Sequence, residues 1–162
     1  MPPSPERQLG DEPTRADVAQ TLDLDLAADW ISPSVARDQV RGWLQANRWS
    51  PSHVDDLVLA VNEAVSNSIE HGYQVRPEGE RGTGRVGVRG VIHTAADGAR
   101  HVELTVRDKG IWLPPTNDPN SNRGQGLRLM RACVENLTVE GSDDGTTVVL
   151  QSRPVPPPLR SG

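Results

Sequence analysis

The sequence predicts an α/β fold, a two-layer sandwich with a mostly antiparallel sheet and its helices on one face. Three observations predict it. The elements run strand, two helices, two strands, loop, helix, two strands, so consecutive strands are joined by short turns. A doubly wound parallel sheet would need a crossover helix between nearly every strand pair. The first strand alternates polar and apolar residues, as a sheet with one wet face requires, and the helical segments carry apolar stripes.

Residues 1–20 hold Pro2, Pro3, Pro5 and Pro13 among charged and small polar residues, and read as a disordered tail. Thr21–Leu26 (TLDLDL) is the alternating first strand. Ser32-Pro33 supplies an N-cap and a proline at the first helical position, and Val35, Ala36, Val40, Trp43 and Leu44 mark one face of a helix reaching about Asn47. Ser50-Pro51 repeats the start signal. The helix that follows runs to Gly72, a residue suited to a left-handed stop, with Val54, Leu57, Val58, Val61, Val65 and Ile69 at three- and four-residue spacing. Residues 74–84 form a polar loop. Strands at Arg85–His93 and His101–Asp108 make a hairpin around Ala96-Asp97-Gly98. Residues 111–125 have no periodicity, and a loop of that length is usually functional. Leu127, Leu129, Met130 and Val134 mark a helix starting just after Gly124 and Gly126. Asn136–Glu140 and Thr146–Ser152 close the domain as a hairpin turning at residues 142–145. The folded domain is thus 21–152, and the proline-rich stretch 153–162 reads as a second unstructured tail.

Composition narrows the function classes. A net charge of −5 with no basic cluster argues against nucleic acid as a main partner. Cys133 is the only cysteine, so no internal disulfide forms, which fits a reducing compartment. The amino-terminal residues lack the character of a signal peptide and no apolar run reaches spanning length, so a cytoplasmic protein without membrane association is expected. Phenylalanine is absent, leaving Leu, Val and Ala to build the core; Trp43 and Trp49 are candidates for core or for a subunit interface.

Four motifs carry chemistry. Glu63, Asn67 and His71 lie at i, i+4 and i+8, so an ideal helix stacks a carboxylate, an amide and an imidazole along one stripe turned away from the core. An amide oxygen is a hard ligand for Mg²⁺, which takes few protein ligands when phosphates and water supply the rest. A glutamate one turn earlier can take a proton from an attacking hydroxyl. His71 reads equally as a helix C-terminal cap. Asp108-Lys109-Gly110 ends an apolar strand, where the carboxylate can accept from an exocyclic amine and the glycine admits a flat ring. Arg123-Gly124-Gln125-Gly126-Leu127 opens a helix with exposed N–H groups suited to phosphate, without Walker A spacing. Gly145-Thr146-Thr147 enters the last strand; the turn accounts for Gly145, and a hydroxyl in a pocket floor would be additional. His53, His93 and His101 show no metal-ligand spacing.

Taken in order, these motifs resemble those of the GHKL ATP-binding superfamily with its Bergerat fold: NEAVSNSIEHGY the N-box, DKG the first glycine box, GQGL the second and GTT the third. The wording of the N-box and the short chain look most like the anti-sigma-factor serine/threonine kinases of the RsbW and SpoIIAB type. That resemblance implies ATP and Mg²⁺ as cofactors, Glu63 as catalytic base and Asn67 as Mg²⁺ ligand. It places His71 in the pocket, Asp108 on the adenine amine with Gly110 shaping the slot, and Arg123, Gly124, Gly126 and Leu127 at the phosphates beneath a lid formed by 111–125. Thr147 would support adenine recognition. It also implies a homodimer that holds a sigma factor until a STAS-domain anti-sigma-factor antagonist replaces it and is phosphorylated on serine. One position departs: the first glycine box usually reads DxGxG, and Trp112 stands at its second glycine. An indole there lines the lid or fills part of the site, so a module that uses ATP only as a ligand, or not at all, is the alternative.

Overall fold

The computed structural model describes residues 19–72, 84–110 and 122–159. Its strands are β1 (Thr21–Ala27), β2 (Arg85–Thr94), β3 (Arg100–Asp108), β4 (Asn136–Ser142) and β5 (Gly145–Gln151). Its helices are α1 (Ser32–Ala46), α2 (Pro51–Asn67), which continues into a π turn at Ser68–Gly72, and α3 (Asn122–Cys133). The strands form one sheet in the order β1-β2-β3-β5-β4, with every described pairing antiparallel. α2 lies between α1 and α3 in the helix layer. The two-layer α/β sandwich expected from the element order is what forms.

Strand periodicity decides which residues meet the helices. Leu26, Val86, Val88, Ile92, Val102, Leu104, Val106, Val148 and Leu150 are buried and belong to one set of cross-strand rows. The intervening residues Asp23, Arg89, Arg107 and Glu140 are exposed on the opposite face. All six apolar stripe residues of α2 and its π turn are buried against this floor. Trp43 and Trp49 are also core residues, 7% and 5% exposed. Gly90 makes the first possible, because a Cβ there would stand 2.7 Å from the Trp43 ring. The Trp43 indole N–H donates to Ala19 O (2.9 Å), and Ile92 N–H to Gln20 O (3.0 Å), so the residues just before β1 are tied to α1 and β2.

Several local expectations need correction. Ser32 does not cap α1; it lies inside the helix and its hydroxyl donates to Ala27 O (2.6 Å), fixing the β1–α1 corner instead. Ser50 has cap geometry (φ −66, ψ 150), but its hydroxyl pairs with His53 Nδ1 rather than with the backbone. Val35 is exposed and stands outside the α1 core face. α2 is not α-helical to Gly72, since its last five residues wind as a π turn. Finally, the chain after β5 is not loose at once. Val155 exchanges two backbone hydrogen bonds with Arg100 (2.9 and 2.8 Å), and Pro157 lies against Gly98 in the β2–β3 turn. Composition reads prolines as disorder, whereas an available strand edge gave this segment a partner.

Candidate functional site

α2 begins with Pro51 in its first turn, carries its apolar stripe into the core and turns a polar flank toward α3. Glu63 and Asn67, one turn apart, are half-buried on that flank. Gly126 of α3 sits directly against them. A Cβ at Gly126 would lie 3.1 Å from Glu63 Oε2, 3.2 Å from Asn67 Nδ2 and 3.6 Å from Asn67 Oδ1. The helix-opening glycine motif and the polar stripe, 59 residues apart in the chain at Asn67 and Gly126, thus form one contact.

Two details of this contact differ from the simple helical projection. α3 starts at Asn122, so Gly124 and Gly126 are inside the helix rather than ahead of it. The N–H of the fourth helical residue already reaches the N-cap carbonyl, so within α3 the N–H groups without an internal acceptor are those of residues 122–124. Gly124 is among them and Gly126 is past them, so Gly126 contributes close approach rather than a free donor. Leu127 packs against the hydrophobic core. The π turn also means that the backbone spacing behind the i, i+4, i+8 projection does not carry through to residue 71. The side chains of His71, Arg123 and Gly124 lie outside the described residues, as do residues 73–83 and 111–121 with Trp112.

A second group of residues gathers at the ends of β3 and β5, strands against which the π turn packs. Asp108 is 4% exposed and shares the helix-facing row of Val106. Its Oδ1 accepts the Gly110 N–H at 3.0 Å, closing a tight corner. Gly145 fits against this corner with φ +126; a Cβ there would stand 2.6 Å from Lys109 Cα. The turn glycine of the last hairpin therefore buttresses the Asp-Lys-Gly corner.

Register separates the two threonines. Asp108 pairs directly with Thr146, and directly opposed residues share a sheet face. Thr147 pairs with Arg107 on the opposite, open face, where the Arg107 guanidinium lies 3.4 Å from its hydroxyl. The structure does not bring Thr147 to Asp108. Thr146 is the residue that sequence reading missed, although the signal was present: Val148 and Leu150 are core residues of the same parity.

Chemically, the site offers a carboxylate and an amide held together on one helix flank, the first turn of a facing helix, and a buried carboxylate beside a hydroxyl-bearing strand. Among the described residues no three His, Cys, Asp or Glu side chains cluster as a metal site. Cys133, at the end of α3, has its thiol pKa raised by burial, then by the Asp56 and Glu63 carboxylates, so the negative charge of this flank is felt across the helix pair.

Residues 26–152 match the family described as the histidine kinase-like ATPase domain. The chain belongs to that family. Within it, the ATPase domain is 28% identical over 141 residues to the anti-sigma F factor of Geobacillus stearothermophilus, a match covering 80% of this chain and 90% of that protein. The anti-sigma F factor of Clostridium acetobutylicum is 27% identical over 143 residues, covering 82% and 92%. Among solved structures, the RsbU and RsbW domains of a Mycobacterium tuberculosis protein align with a TM-score of 0.61 and 26% identity, over 88% of this chain and 35% of that one. The match with the family runs from the end of β1 through Ser152, and so spans both groups of site residues. No described helix is long and apolar enough to cross a membrane.

Proposed function

We propose that this ATPase domain is an ATP-binding anti-sigma factor with protein serine/threonine kinase activity. The observation that carries this reading is the meeting of Glu63 and Asn67 with Gly126, which puts a proton acceptor and a hard-oxygen ligand beside the first turn of α3. ATP would supply the phosphoryl group, with Mg²⁺ on its phosphates. Asn67 Oδ1 fits the ion's preference for oxygen. The free N–H groups of residues 122–124 orient phosphate at the positive end of α3. Asp108 accepts the adenine amine, with Thr146 beside it on the same sheet face. Glu63 takes the proton of a serine hydroxyl presented by the partner, and Asn67, one turn away, keeps the attacking group and the phosphates in register.

The partners in this reading are a sigma factor, which the protein sequesters as a homodimer in the cytoplasm, and a STAS-domain antagonist carrying the acceptor serine. Support comes from the naming of the two relatives as anti-sigma F factors. Glu63→Gln tests it. With Mg-ATP and the STAS antagonist, the wild-type protein should transfer phosphate and the variant should lose transfer while still binding ATP. Loss in the variant should reach about 10²-fold or more, the usual contribution of a positioned base. ATP binding without transfer in both proteins would leave the nucleotide as a regulatory ligand, the outcome that Trp112 at the second glycine of the first box makes specific.

A further inference from the structure

β2 and β3 carry a pair of imidazoles that stands apart from Glu63, Asn67 and Asp108. His93 and His101 have no ligand spacing along the chain, but the antiparallel register sets them directly opposite each other. Their neighbours Ile92 and Val102 are buried under the helix layer, so both rings stand on the open face of the sheet. The rings stack with centroids 4.8 Å apart and planes 18° from parallel. His93 is exposed and His101 half-buried, and among the described residues neither ring has a hydrogen-bond partner. A neutral imidazole in that state keeps one ring nitrogen with a free lone pair. The backbone beneath the pair is fixed. Ala95 N–H donates to Ala99 O (2.8 Å) to close the hairpin, and Arg100 exchanges two hydrogen bonds with Val155. Ligands on paired strands are held more precisely than ligands on a loop.

We propose that His93 and His101 form a two-histidine chelate for a first-row transition cation of the Zn²⁺ or Cu²⁺ kind, with water completing the coordination shell. Two nitrogens on a tetrahedral ion stand roughly 3.3 Å apart, so rings stacked at 4.8 Å need only tip their edges together. A cross-strand contact alone is served by any aromatic pair; two imidazoles add two nitrogen donors that one ion can share. Imidazole nitrogen suits these ions and not Mg²⁺, which prefers oxygen. Among the described residues no third His, Cys, Asp or Glu joins the pair in a cluster. Glu103, next but one to His101 on the same face, has its Oε2 taken by Gln151 Nε2 (3.0 Å), so it adds negative charge nearby rather than a ligand. A bound ion cross-links β2 to β3 at their hairpin end.

The test is a titration of the full-length protein with Zn²⁺, and separately with Mg²⁺, at neutral pH and without nucleotide. The readout is the ring-proton resonances of His93 and His101, each assigned by its absence in His93→Gln or His101→Gln. Saturable Zn²⁺ binding at micromolar concentration that shifts both rings together, with no response to Mg²⁺, supports the site. Each single variant should weaken Zn²⁺ binding by about tenfold or more, since one remaining ligand is no chelate. Both side chains lie outside the core, so the substitutions test the chelate and not the fold. A Zn²⁺ affinity unchanged in either variant puts the ion elsewhere in the chain and overturns the proposal, as does a shift confined to one of the two rings.

Discussion

At Gly126 only a hydrogen fits without moving Glu63 and Asn67, and the atoms in the way are the far ends of two flexible side chains. A methyl group there should therefore be accommodated by those ends giving a few tenths of an ångström, not by the helices separating. Gly126→Ala is expected to keep the fold within about 1 kcal/mol, at the mild end of overpacking. It should weaken Mg-ATP binding by roughly tenfold, about 1.4 kcal/mol. Calorimetric titration beside a melting curve checks both; a large loss of stability with unchanged affinity would contradict it. The two threonines give a paired prediction. Thr146→Val, isosteric on the Asp108 face, should lower ATP affinity by about 1 kcal/mol, one hydrogen bond's worth. Thr147→Val on the open face should leave it unchanged. This is also where the sequence was more legible than its reading: strand parity from Val148 and Leu150 assigns Thr146 to the floor, whereas motif matching alone does not choose between adjacent threonines.

At the scale of elements, periodicity identified every strand and helix in order, because each buries one face and the burial imposes a period of 2 or 3.6. The joints were less legible. Nothing in SIEHG distinguishes a π turn from a last α turn, since that choice depends on how the helix end meets β3 and β5. The start of α3 was misplaced because the two glycines were read as lying ahead of the helix, while the helix runs from Asn122 through both of them. Gly145 shows the opposite case to Gly126. Its φ of +126 is strained for any side chain, and the Cβ would run into the backbone of Asp108-Lys109, which cannot swing aside. Gly145→Ala should destabilise the domain by about 3 kcal/mol, combining a forbidden backbone conformation with overpacking. Its signature is a lower melting temperature in the absence of nucleotide, together with weaker ATP binding as the Asp108 corner shifts. Wild-type stability in that variant would mean that the turn holds nothing in place.

For the whole molecule, the candidate site residues come from α2, β3, α3 and β5, so a nucleotide bound there would tie the helix layer to the far half of the sheet. A ligand that binds only this assembled form adds stability by mass action, about 2.7 kcal/mol at a hundred times its dissociation constant. For a domain of this size that corresponds to a rise in melting temperature of roughly 8 °C. The rise should require Mg²⁺ and should be largely absent in Asn67→Ala, whose substitution on a half-buried helix flank removes the amide oxygen without opening the core. Trp112 gives the same titration an optical arm, since its place in the first glycine box puts it beside the nucleotide by family resemblance. A Mg²⁺-dependent rise with a change in tryptophan emission would mean that the indole lines an open site and that phosphate transfer can follow. A flat melting temperature at millimolar ATP would mean that the indole occupies the slot above Asp108. The architecture would then serve partner binding alone, because no ligand would be left to join the two halves of the site.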